Sequence, residues 1–94
     1  MKTKKLTKGQ TNLIKQYGLD IFDPHDPNKQ FVARNPFSGA EVKMNQFMAN
    51  LYQLVMQKYA DYERGVGGST VQQYDRLKML MLHFDSNAYM DLID

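Results

Sequence analysis

Between Asn45 and Arg64 the apolar residues return with the period of a helix. Met48, Leu51, Tyr52, Val55, Tyr59 and Tyr62 fall on one face, and Gln46, Asn50, Gln53 and Gln57 on the opposite side. At 3.6 residues per turn this is an amphipathic helix with one stripe aimed at a core. Phe47 and Leu54 widen that stripe to an arc of roughly 160°, so the helix is expected to touch more than one neighbour. Asn45 is a good residue to cap its start, and Gly65 is suited to the left-handed conformation that stops a helix. The stretch therefore directs the chain into a mainly α fold with a known buried face. It carries no chemistry of its own.

A chain of 94 residues has room for one domain, and at this size only about 60–65 % of the unfolded surface is buried, so the core is modest. Hydrophobic residues at 43 % and charged residues at 23 % are ordinary for a globular protein. The absence of cysteine excludes a disulfide framework and a thiolate zinc site. No apolar run approaches the ~20 residues of a membrane helix. The start, Met1-Lys2-Thr3-Lys4-Lys5, leads into no apolar segment, so no signal peptide is read and a cytoplasmic protein is expected.

The charge is uneven. Residues 1–20 hold five lysines and one acid, whereas residues 21–94 hold seven bases and nine acids. Lys2, Lys4, Lys5 and Lys8 form a basic tail able to touch phosphates. The slightly acidic remainder argues against a broad nucleic-acid face. Residues 1–6 are read as the tail and 7–94 as a single globular domain.

A short helix opens that domain. Thr7 and Gln10 fit a capping box, Leu13, Ile14 and Tyr17 share a face, and Gly18 ends it. Residues 19–28 hold two prolines among Asx residues and read as an irregular loop, with Ile21 and Phe22 as its anchors to the core. Gln30 to Met44 reads as a β-hairpin. Phe31, Val32 and Ala33 suit a strand, Asn35-Pro36-Phe37-Ser38-Gly39 suits a turn, and Val42 and Met44 alternate with Glu41 and Lys43. Gly65-Val66-Gly67-Gly68 lacks the spacing of a phosphate loop and reads as a linker. Ser69 with Gln72, or Thr70 with Gln73, then caps a second long helix. Its core stripe is Tyr74, Leu77, Leu80, Met81 and Phe84, with Val71 and Leu82 to one side and Met79 among polar residues. It ends around Asp85-Ser86-Asn87, and a short helix over 88–93 closes the chain. The expected architecture is mainly α: three helices, a short C-terminal helix and one hairpin at about 30–44, with the long helices antiparallel.

Asn35-Pro36-Phe37-Ser38-Gly39-Ala40-Glu41-Val42, the Leu51-Tyr52 pair in the following helix, and the ending Asn87-Ala88-Tyr89-Met90-Asp91-Leu92-Ile93-Asp94 resemble a pattern in short orphan proteins of tailed bacteriophages, especially phages of marine bacteria. The similarity spans roughly residues 34–94. It departs at Gln53, where the pattern has an acid after the tyrosine. The resemblance implies a phage or phage-like origin and assigns no site.

Four groups of residues have the composition of a site. Asp20, Asp23, His25, Asp26 and Asn28 offer oxygen and imidazole ligands, but not in EF-hand order, so turn chemistry is the stronger reading. His83 lies near Asp75 and Asp85 in sequence but without a nucleophile motif, and a helix C-terminus favours such a cation for structural reasons. Tyr52, Tyr59, Tyr62 and Tyr74 have the spacing of a buried stripe rather than of a base-stacking surface. Seven methionines are many for this length, and Met79 with Val71 and Leu82 would make an apolar contact surface for a partner. No acid, base and nucleophile converge, so no enzyme, no cofactor, no metal and no small-molecule substrate are expected. The expected function is a small accessory protein that binds a protein partner or forms a homo-oligomer, in the host cytoplasm or in a virion. The alternative is a nucleic-acid-binding protein using Lys2, Lys4, Lys5 and Lys8.

Overall fold

The computed structural model describes residues 6–65 and 70–93. The order of elements is α1 (Lys8–Gln16), a 3-10 turn (Leu19–Ile21), β1 (Phe31–Arg34), β2 (Glu41–Met44), α2 (Gln46–Glu63), α3 (Thr70–Phe84) and α4 (Ser86–Leu92). This is the mainly α fold with one hairpin that the sequence implies.

Local chemistry sets most of the boundaries. Thr7 caps α1 in a complete capping box: its hydroxyl accepts from the Gln10 amide at 3.1 Å, and the Gln10 side chain accepts from the Thr7 amide at 2.9 Å. Gly18, Gly39 and Gly65 adopt φ of 69°, 77° and 71°, values that a Cβ disfavours. Asn45 caps α2, accepting from the Met48 amide at 2.9 Å. Asp85 caps α4 through the Ala88 amide at 3.0 Å, so the closing helix starts two residues earlier than its sequence suggested. The caps expected for α3, Ser69 with Gln72 or Thr70 with Gln73, depend on side chains outside the described residues.

The hairpin is antiparallel, with Phe31 opposite Met44, Val32 opposite Lys43, Ala33 opposite Val42 and Arg34 opposite Glu41. Its turn is held by the Asn35 amide donating to the Ala40 carbonyl and the Gly39 amide donating to the Asn35 carbonyl, each at 2.8 Å. Met44 is buried and Val42 half-buried, while Glu41 and Lys43 are exposed, as alternation requires.

The core lies between α2 and α3. Leu51 and Val55 from one helix and Leu77, Leu80 and Met81 from the other are fully buried. Phe47 near the start of α2 meets Phe84 at the end of α3, with ring centroids 5.0 Å apart. Tyr59 near the end of α2 meets Tyr74 near the start of α3 at 5.6 Å. The two helices are therefore antiparallel. Met48 of α2, Leu13 and Ile14 of α1, Leu19, Met44, and Ala88 and Leu92 of α4 complete the core.

Three expectations need correction. Ile21 does not anchor its loop: it is 78 % exposed, and the buried anchor is Leu19, which the 3-10 turn points inward, with Phe22 packed beside the core. Tyr59 and Tyr62 lie at the end of the α2 stripe but are 41 % and 51 % exposed, because α2 runs on past the elements that cover its first three turns. Leu6, read as part of the tail, packs against the core.

Candidate functional site

A concavity lies where α1 crosses α3. It has a volume of about 410 Å³ and is lined by Thr7, Gly9, Gln10, Asn12, Leu13 and Gln16 on one wall and by Asp75, Arg76 and Met79 on the other. Gly9 opens one wall because it carries no side chain, and Met79 supplies a thioether to the other. The charges Asp75 and Arg76 sit one turn from Met79 on the same helix. Asp75 also pairs with Lys78 at 3.6 Å.

Met79 is 56 % exposed and Val71 is 42 % exposed, whereas Leu82 is half-buried. By helix geometry Val71 and Leu82 point about 20° apart, and Met79 about 60° further round toward α1. The groove thus takes in Met79 and leaves Val71 and Leu82 on the adjoining flank of α3. Of the basic residues, Lys2, Lys4 and Lys5 lie outside the described residues. Lys8 is exposed in the first turn of α1, where the helix dipole disfavours a cation.

The other three groups are engaged in structure. Asp23 accepts from the His25 amide and Asp26 from the Asn28 amide, both at 2.9 Å, so both carboxylates make Asx turns. Among the described residues no three carboxylate or imidazole groups converge on a point that could hold a metal. His83 stands edge-on to Phe84 at 5.0 Å. Its sequence neighbours are used elsewhere: Asp85 caps α4 and Asp75 pairs with Lys78. Tyr74 lies under the Lys78 ammonium, 4.4 Å from the ring centre, a cation–π contact. Burial raises the Tyr52 hydroxyl above its usual pKa. A hydrogen bond to Glu63, reinforced by that carboxylate's charge, raises Tyr59.

Two features, one on the surface and one buried, escaped the sequence reading. Phe37, at the hairpin tip, is 97 % exposed. It is held there because Asn35 Oδ1 accepts from the Phe37 amide at 2.8 Å and the Ser38 amide at 3.2 Å. The Asn-Pro turn was legible, and a turn at a hairpin end lies in solvent, so that signal was available. The second is Asn45. Its Oδ1 caps α2, while its Nδ2 donates to the carbonyls of Asp26 at 3.0 Å and Pro24 at 3.3 Å. Nothing in the local sequence signals that long-range half. Comparison with protein families, with curated proteins and with solved structures finds no match.

Proposed function

We propose that this chain is a small non-enzymatic accessory protein that acts by binding another protein, through the side of α3 that carries Val71, Met79 and Leu82. The observation that carries this reading is Met79: a flexible, polarisable side chain more than half exposed at the mouth of the α1–α3 groove, with Val71 exposed on the adjoining flank. Methionine adapts its shape to a partner, and exposed apolar side chains beside a groove are how a small protein presents a contact surface. The engagement of the carboxylates, histidines and tyrosines in caps, turns and ring contacts supports a binding role over a catalytic one. The resemblance to phage orphan proteins supports a phage-encoded factor acting in the host cytoplasm, or a virion component.

The test is a pull-down from bacterial host lysate with the wild type and Met79→Asp side by side. A specific host protein retained by the wild type and lost with Met79→Asp, at an unchanged melting midpoint, is the expected result. A set of retained proteins that does not differ between the two would sink this reading. Salt-sensitive retention on DNA or RNA that disappears on deleting residues 1–5 would instead favour the basic tail, Lys2, Lys4, Lys5 and Lys8, as the working part.

A further inference from the structure

We infer that β1 is a recognition strand for a second copy of this chain, and that two hairpins join edge to edge around a two-fold axis into a four-stranded antiparallel sheet. This rests on the hairpin alone and is independent of the α3 reading. In an antiparallel ladder, residue pairs alternate between those that exchange backbone hydrogen bonds and those that do not. The Asn35 amide donates to the Ala40 carbonyl, which makes Asn35 and Ala40 a bonded pair. In the register of this hairpin, Arg34 with Glu41 and Val32 with Lys43 are then non-bonded pairs. The backbone N–H and C=O groups of Val32 and Arg34 therefore point away from β2, along the outer edge of β1. Among the described residues, none of these four groups has a backbone partner beyond the strand.

The two edges of the ribbon are unlike. Helices pack beside both strands, α2 by β1 and α4 by β2, and at the hairpin tip Asn35 Nδ2 donates to the Asp91 carbonyl at 2.9 Å, so the difference between the edges lies in charge, which is denser on the β2 side. The outward-facing residues there, Glu41 and Lys43, are both charged. Sheet edges that must stay single are blunted by lysine, proline or a bulge. β1, Phe31-Val32-Ala33-Arg34, has none of these. Its one charge, Arg34, is already paired with Glu41 across the hairpin. Val32 is 57 % exposed beside the open donors and acceptors.

The occupant that this edge fits is another β1. Centred on Ala33, an antiparallel pairing sets Val32 against Arg34 of the second copy and Arg34 against Val32 of the second copy. All four open groups of each strand are then used, in four hydrogen bonds. The small Ala33 side chains meet at the axis. Across the solvent face, each row reads Glu41, Arg34, Val32, Lys43, with the last two from the second copy. No like charges stand directly opposite one another, the two Arg34 side chains lying on the longer diagonal, and the Arg34–Glu41 pair is kept. The charge pattern is self-complementary under the two-fold, as an isologous contact must be. A contact built on four-residue strands is small, so the dimer is weak and forms with rising concentration.

Sedimentation of the full chain, from micromolar into millimolar concentration, tests this with three variants. Val32→Pro removes an outward N–H and no hairpin bond, as edge prolines do. Val32→Lys adds a blocking charge without altering the backbone. Met79→Asp changes only the α3 groove. The expected result is a wild-type monomer–dimer equilibrium, weakened about tenfold or more by either Val32 substitution and unaffected by Met79→Asp, with melting midpoints little changed. If Val32→Pro fails to fold, Val32→Lys carries the test. A wild type that stays monomeric throughout overturns the inference. A dimer that survives the folded Val32 variants overturns it too, and one that is lost with Met79→Asp alone places self-association on α3.

Discussion

The two ends of the α2–α3 pair are built from the same kind of amphipathic pattern and end up in opposite states. At the end holding the start of α2, the pair is closed. Phe47 meets Phe84, His25 and His83 stand edge-on to that ring, and Asn45 ties in the loop through two carbonyls. At the other end, Tyr59, Tyr62 and Val71 are open to solvent, and among the described residues the ring contacts are Tyr59 with Tyr74, Tyr74 with Lys78 and Tyr17 with Lys58. Periodicity decides which way a side chain points. Whether anything lies there to cover it depends on where the other elements stop. The hairpin, the 23–28 loop and α4 all gather at the first end.

That contrast can be broken or sharpened by substitution, starting with the largest effect. Leu51→Ala, between the fully buried residues of both helices, should cost about 2–4 kcal/mol, severe for a domain holding about 5–10 kcal/mol in total. Thermal or denaturant unfolding measures it, and an unchanged midpoint would mean that α2 is not docked on α3. Asn45→Ala removes a cap and strands two loop carbonyls, and should cost about 1–3 kcal/mol. If it costs no more than an ordinary surface change, the closed end is not held by this amide. Gly65→Val forces a Cβ into left-handed backbone in open space, and should cost about 1–2 kcal/mol by backbone strain alone. Tyr62→Ala at the open end should stay within about 0.5 kcal/mol, and a larger loss would show that this end is covered after all.

The smallest effect is a titration. Glu63 holds the Tyr59 hydroxyl above the usual 10.0, so the native state favours the neutral phenol. Any stability this gives is fully present below the unfolded pKa and fades as pH rises through the folded one. Following phenolate absorbance with pH, Glu63→Gln should bring the ionisation of Tyr59 back toward its ordinary range and leave the half-buried Tyr52 raised. Identical curves for the two proteins would remove Glu63 as the cause.

Much of this was legible from short-range chemistry. Thr7 with Gln10, Asn45, Gly18, Gly39 and Gly65 each solve a local backbone problem, and all of them sit where that problem arises. The hairpin followed from the alternation of Glu41 to Met44 and the Asn-Pro turn. What was missed is long-range. Leu19 rather than Ile21 enters the core because a 3-10 turn, not the composition of the loop, sets which residue faces inward. The exposure of Tyr59 and Tyr62 depends on the reach of neighbouring elements. As for the candidate site, Met79 and Val71 were readable as apolar residues off the core stripe, but the groove required knowing that α1 crosses α3 beside Met79.

The double duty of Asn45 has a dynamic consequence. The amide that lets α2 begin at Gln46 is also the one that holds the carbonyls of Pro24 and Asp26. When the loop lifts, the cap loses its orientation, and when the first turn frays, the loop loses its tether. The two segments should therefore open as one cooperative unit, though about twenty residues of chain separate them. In native-state hydrogen exchange, the Met48 amide and the loop amides of His25 and Asn28 should share a single opening free energy, and Asn45→Ala should lower it for all three together.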